Sequence, residues 1–193
     1  MNGSLILASS SPRRRQLLEM LQIPFTVIPA EIDERRIDGE APERYVVRLA
    51  REKAASVSEQ HPGALVLGAD TTVVVRGELL AKPESAAEAE AMLAKLRGRT
   101  HHVMTGVALV CDGRIEDAID ISDVTFRALP DAMIASYVAT GEPMDKAGAY
   151  AVQGLGAVLI QGIRGDFFSV MGLPLRLVVE LLERFGRPYR FTR

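Results

Sequence analysis

The 193-residue chain has one cysteine, Cys111, which excludes an intrachain disulfide and leaves no cysteine cluster for a structural metal. Long apolar runs are missing as well. Nothing approaches the ~20 residues a helix needs to cross a bilayer, so no membrane partner is expected. The leading stretch MNGSLILASS lacks the extended apolar core of a secretory signal, and with the lone thiol this sets the expectation of a cytoplasmic protein. An excess of charge of one sign is also absent. With 23 Lys+Arg against 25 Asp+Glu the net charge is −2, so no nucleic-acid partner is called for and any anion site has to be a local cluster. No G-x-x-x-x-G-K-[ST] phosphate loop, no H-E-x-x-H helix and no G-x-S-x-G elbow occurs. What is present is 48% apolar and 25% charged residues, the composition of an ordinary globular protein.

The hydrophobic pattern predicts strands and helices in alternation. Ser4–Ala8 reads as a buried strand. A helix follows from Pro12, with Ser11 as N-cap and Leu17, Leu18 and Leu21 on one face. Phe25–Ile32 reads as a second strand, a helix begins near Pro42, and Ala64–Val75 is apolar and β-branched around Gly68-Ala69-Asp70. Arg76–Glu78 reads as a hairpin turn before LLAKP, and Ser85 with Glu88 as a capping box. HHVMTGVALVCDG and RIEDAIDISDVTFRAL alternate like paired strands. A short helix then closes at Gly141, glycine-rich loops and short strands follow, and LPLRLVVELLERFG is a terminal helix. The expected fold class is α/β, with a mixed, partly antiparallel twisted sheet flanked by helices, one domain over 1–193, and two lobes around a cleft.

Three arginines, Arg13, Arg14 and Arg15, crowd a helix start behind three serines. Each opposes the helix dipole there, at a cost of up to about 1 kcal/mol. A bound phosphate reverses the sign, because backbone N–H groups, serine hydroxyls and guanidinium forks all favour it. Successive helical side chains diverge by about 100°, so not all three arginines can face one ligand; one or two are expected in solvent or in ion pairs. The alternative is a serine cap followed by solvated arginines. Asp70 follows small residues at what reads as a strand end, a place for a metal ligand or base, or for a turn aspartate. Glu34, in EIDER, and Asp70 could together hold a hard divalent cation that also takes phosphate oxygens, with Lys53 and Lys82 neutralising phosphate charge. Lys53 also reads as part of a solvated helix face. His101 and His102, adjacent on a strand, point to opposite faces and do not share a metal.

The segments LILASSSPRRRQLL, EIDE, REKA, GADTTV, AKP, GEPMDKAGAYAVQG and SVMGLPL, in this order over nearly the whole chain, resemble the Maf family of nucleoside triphosphate pyrophosphatases. KAGAYAVQG and GADTTV are similar to the branch that cleaves dTTP and UTP. The sister branch, preferring 7-methyl-GTP, has cysteine and glutamate where Lys146 and Gln153 stand here. The resemblance implies a Maf/Ham1-like fold and cleavage of a nucleoside triphosphate to monophosphate and pyrophosphate. It further implies a divalent cation (Mg2+ or Mn2+) held by Glu34 and Asp70, a homodimer and a cytoplasmic setting. Asp70 matches the general base. Glu34, Lys53 and Lys82 match catalytic or phosphate-contacting positions, and Ser9 and Arg13, with Arg14 beside them, the phosphate-binding motif. Arg13, Thr71 and Gln153 match positions tied to substrate choice. A non-catalytic nucleotide-binding regulator of cell division is the competing class.

Overall fold

The apolar run at the start forms β1 (Leu5–Leu7), buried throughout. Ser11 Oγ then accepts from Arg14 N and caps α1 (Pro12–Glu19), with Pro12 at the first helical position. These features come from a computed structural model that describes residues 4–191. The leading-segment and 1–193 domain expectations therefore extend onto residues 1–3 and 192–193, outside the described residues. β2 (Phe25–Val27) stops short of the predicted Ile32. Ile28 N still donates to Leu7 O at 3.1 Å, but Pro29 has no N–H to continue the ladder.

The chain continues through α2 (Pro42–Ser58), β3 (Leu65–Val75), β4 (Glu78–Leu80), α3 (Ala86–Leu96), β5 (Thr100–Cys111), β6 (Arg114–Phe126), α4 (Asp131–Val138), β7 (Ile160–Arg164), α5 (Phe167–Met171) and α6 (Leu175–Arg184). Short helix α5 has no counterpart in the sequence reading. The strands form a seven-stranded sheet in the order β2-β1-β3-β5-β6-β7, with β4 paired to β3. β1 runs parallel to both β2 and β3, whereas β3–β4 and β6–β7 are antiparallel. The fold is therefore mixed α/β with helices beside the sheet, as expected. At the two hairpin tips, Arg76-Gly77 and Asp112-Gly113 each put two consecutive residues at positive φ, the requirement of a tight I′ connection.

The described residues belong to two compact units: Met1–Asp70, Thr105–Asp120 and Gly172–Arg193 in the first, Thr71–Met104 and Ile121–Met171 in the second. In the first, the parallel strands and α2 enclose Ile6, Ala8, Ala54, Val57, Val66 and Val110. Two glycines let α2 lie directly on the strands. A Cβ at Gly68 would stand 2.2 Å from Ala50 O, and one at Gly106 would stand 2.6 Å from Val46 O. In the second unit, β4 and helices α3 and α4 build a core around Leu93, Leu96, Phe126, Ile134 and Tyr150. His101 is buried there and His102 is not, as strand alternation requires. The capping box at α3 is altered: Ser85 accepts from Glu88 N, but Glu88 Oε2 accepts from Glu84 N rather than from the cap residue. No helix of the described residues is long and apolar enough to cross a membrane.

Candidate active site

β3 places Asp70 in the sixth of its eleven positions, mid-strand rather than at a strand end. The ladder continues through Thr71–Val75 because these residues are β-branched and all but the half-buried Thr71 are buried. α2 brings Lys53 to it. Val46, Ala50, Lys53 and Val57 share one stripe of the helix. The close approach at Gly68 and Ala50 sets this stripe on β3, so Lys53 is buried instead of lying on a solvated face. Its Nζ donates to Asp70 Oδ1 at 2.7 Å and pairs with Glu34 Oε1 at 2.8 Å. Lys53 and Asp70 are each 8% exposed, whereas half of the Glu34 side chain reaches solvent.

Burial raises the Asp70 carboxyl above the usual carboxylate range. The Lys53 and Arg14 charges and the Lys53 hydrogen bond oppose that rise, and Glu34 adds to it. Arg14 turns inward from α1. Its Nε donates to Gly172 O at 2.9 Å and its Nη1 to Ser9 Oγ at 3.4 Å. Burial pulls its guanidinium below its ordinary value while the Asp70 charge pushes back. Ser9, itself buried, also accepts from Ser11 N at 3.2 Å. Arg13 is half-buried at the first turn. Arg15 points outward to Glu19, 2.8 Å away. The three arginines thus diverge as helical geometry demands.

Glu34 sits in an irregular segment, and two α2 residues that the sequence reading passed over hold it. Tyr45 Oη donates to Glu34 O at 3.0 Å. Arg48 makes paired bonds to Glu40 Oε1 and Oε2 at 2.7 and 2.8 Å and donates to Arg35 O at 3.1 Å. No local signal marks these two residues, since their partners lie across a loop. Asp33, next to Glu34 in the chain, pairs instead with Arg35 on the surface at 2.5 Å. Of the remaining predicted residues, Thr71, Lys82 and Gln153 all belong to the second unit, with Lys82 and Gln153 exposed.

In this mixed α/β fold a buried aspartate and a half-exposed glutamate share one ammonium, and Arg14, on a serine-capped helix start, bonds Ser9. The sequence pattern of the family described as Maf-like protein matches residues 4–185. The chain belongs to that family. It is 57% identical over 185 residues to a dTTP/UTP pyrophosphatase of Myxococcus xanthus (strain DK1622), covering 95% of this chain and 93% of the relative. It is 53% identical over 184 residues to a dTTP/UTP pyrophosphatase of Symbiobacterium thermophilum, covering 95% of each. Among solved structures, the Staphylococcus aureus Ham1 protein superposes with a TM-score of 0.50 at 15% identity, covering 95% of this chain and 97% of that one; this likeness concerns the fold alone.

Proposed function

We propose that the chain hydrolyses dTTP and UTP at the α–β phosphoanhydride, releasing the nucleoside monophosphate and pyrophosphate. The observation that carries this reading is Lys53 joined to both Asp70 and Glu34, in a chain 57% identical to a dTTP/UTP pyrophosphatase. Asp70 takes a proton from the attacking water. Desolvation of its carboxyl makes it a stronger base than a free aspartate, whose pKa is ~3.9. Lys53 holds the two carboxylates in register, and Ser9, Arg13 and Arg14 bind phosphate oxygens through hydroxyl and guanidinium donors.

Glu34 and Asp70 would hold a divalent cation, Mg2+ or Mn2+. Their oxygens already converge on one cationic centre, the Lys53 ammonium. Two hard carboxylates also suit an ion that keeps waters and phosphate oxygens as its other ligands. No cluster of three or more His, Cys, Asp or Glu fit for a metal occurs among the described residues. When bound, the cation supplies Lewis-acid neutralisation of phosphate charge.

From the second unit, we assign Lys82 to the phosphates and Thr71 and Gln153 to substrate choice, as the family resemblance implies. The edge of uracil or thymine offers acceptor, donor, acceptor, and the Gln153 amide can bond it twice. Residues 1–193 act as one catalytic domain in this reading, because each unit is assembled from separate segments of the chain. A homodimer in the cytoplasm completes it, with sedimentation as the check on the dimer. The decisive experiment measures pyrophosphate release from UTP, dTTP, CTP and 7-methyl-GTP, with and without magnesium or manganese. Metal-dependent release from UTP and dTTP is expected. Preference for 7-methyl-GTP, or binding without release, overturns the proposal.

A further inference from the structure

Gln153 stands in a segment of the second unit that is neither regular helix nor strand, between single turns at Ala147–Ala149 and Leu155–Leu159. Tyr150, Ala151, Val152 and Leu159 are buried at its two ends, whereas Leu155 and Val158 are 57% and 56% exposed. One carboxylate bonds the exposed part. Glu142 Oε2 accepts from Leu155 N at 2.9 Å. Its Oε1 accepts from Gly156 N at 2.8 Å and from the Tyr137 hydroxyl at 2.9 Å. The same Tyr137 oxygen accepts from Ala151 N at 3.2 Å. The backbone is thus bonded on both sides of Gln153, at residue 151 and at residues 155 and 156.

Glycine is required for this approach. A Cβ on Gly154 would lie 2.6 Å from Glu142 Oε2, and one on Gly156 would lie 2.6 Å from the Tyr137 oxygen. Gly154 also adopts φ +100, which L side chains avoid. Glu142 is itself held in place. It follows Gly141, at φ 76, just past α4, its N–H donates to Thr140 Oγ1 at 3.2 Å, and Lys146 Nζ donates to its carbonyl at 2.6 Å. Desolvation disfavours its charge, but the Leu155 and Gly156 N–H groups and the Tyr137 hydroxyl outweigh that and keep it ionised.

We infer that Glu142, backed by Tyr137, is a positioning residue that fixes the backbone on both sides of Gln153 and so sets how the Gln153 amide meets the pyrimidine base. The inference rests on the pyrimidine reading proposed above. Two hydrogen bonds from one amide to one base edge tolerate little displacement, so loosening the flanking backbone costs base selection before it costs chemistry.

The test compares the wild-type protein with E142Q and Y137F by kcat and KM for UTP, dTTP and CTP, by affinity for the α,β-imido analogue of UTP, and by amide hydrogen exchange at Leu155 and Gly156. E142Q replaces one accepting oxygen with an NH2 group that cannot accept. Its KM for UTP should rise about tenfold with kcat within about threefold, and its preference for UTP over CTP should shrink, as loss of one charge-assisted bond implies. Y137F should move in the same direction by less, with exchange accelerated in both variants. Unchanged KM and unchanged UTP-to-CTP ratio despite faster exchange overturn the inference, as does a loss confined to kcat. Should E142Q fail to fold, Y137F decides on the same criteria. If the wild type binds the analogue but releases no pyrophosphate, the catalytic proposal fails and the inference is judged by the analogue alone: weaker binding in the variants upholds it, equal binding overturns it. If the wild type binds no pyrimidine nucleotide, both fall.

Discussion

Lys53, Asp70 and Arg14 of the first unit stand on α2, β3 and α1, and glycines under α2 set the spacing of Lys53 and Asp70. Gln153 of the second unit stands on a segment without regular structure, bonded through Glu142 and Tyr137. The first arrangement is as rigid as the sheet beneath it, because moving Lys53 means moving a helix. The second combines buried flanking residues, Tyr150, Ala151 and Val152, with a few hydrogen bonds worth about 1 kcal/mol each. The difference suits the work proposed for each: the chemistry is set by helix and strand, whereas base choice rests on a backbone held in place by hydrogen bonds to a neighbouring turn.

The units also differ in their response to acid. The Asp70 carboxyl is raised by burial in the fold, so its ionisation favours the unfolded chain; its penalty is absent below the unfolded pKa and appears as pH rises through the folded one. His101 is the reverse. Burial first, and then the His102 charge, lower it to about 4. Its neutral ring contributes stability above its ordinary value of 6.5 that is lost as pH falls through 4.

The sharpest way to break the comparison is Asp70→Asn. Turnover of dTTP should fall by about 10³-fold, the size of a missing general base. The melting temperature at pH 7 should hold or rise, since the buried charge is gone. A variant that melts earlier at pH 7 would contradict the sign assigned to Asp70. Gly68→Ala tests whether glycine spacing fixes the site. Its methyl would strike the α2 backbone, and denaturant unfolding should show a loss of about 3 kcal/mol with no compensating repacking. Acidification from pH 7 to pH 4 should weaken the second unit through His101 by up to about 3 kcal/mol. Hydrogen exchange in the second-unit parts of β5 and β6 would report it, and His101→Gln should flatten that pH slope. Tyr45→Phe is the smallest change. It removes the bond to Glu34 O, should cost about 1 kcal/mol of stability, and should reduce turnover without changing the preference between UTP and CTP.

Much of the local structure was legible in the sequence. Ser11-Pro12 announced α1 and Arg76–Glu78 a hairpin, because capping and left-handed turns are decided by a few adjacent residues. Strand ends were less legible. β2 stopped at Val27, before Pro29, and β3 ran on through Asp70, because pairing partners decide where a ladder ends. Lys53 could have been placed inside by its spacing with Val46, Ala50 and Val57. Tyr45, Arg48, Tyr137 and Glu142 could not, since what they hold lies in other segments and no period marks it.

By itself the sequence determined the order and kind of the longer elements, the family, and which residue types were available for phosphate chemistry, because each of these is written in adjacent or evenly spaced residues. Only the tertiary structure decided that Lys53 joins Glu34 to Asp70 and that Glu142 grips the backbone beside Gln153. Those contacts form when helices, strands and loops distant in the chain come within hydrogen-bond reach, and burial then gives each charge a strength that no exposed side chain has.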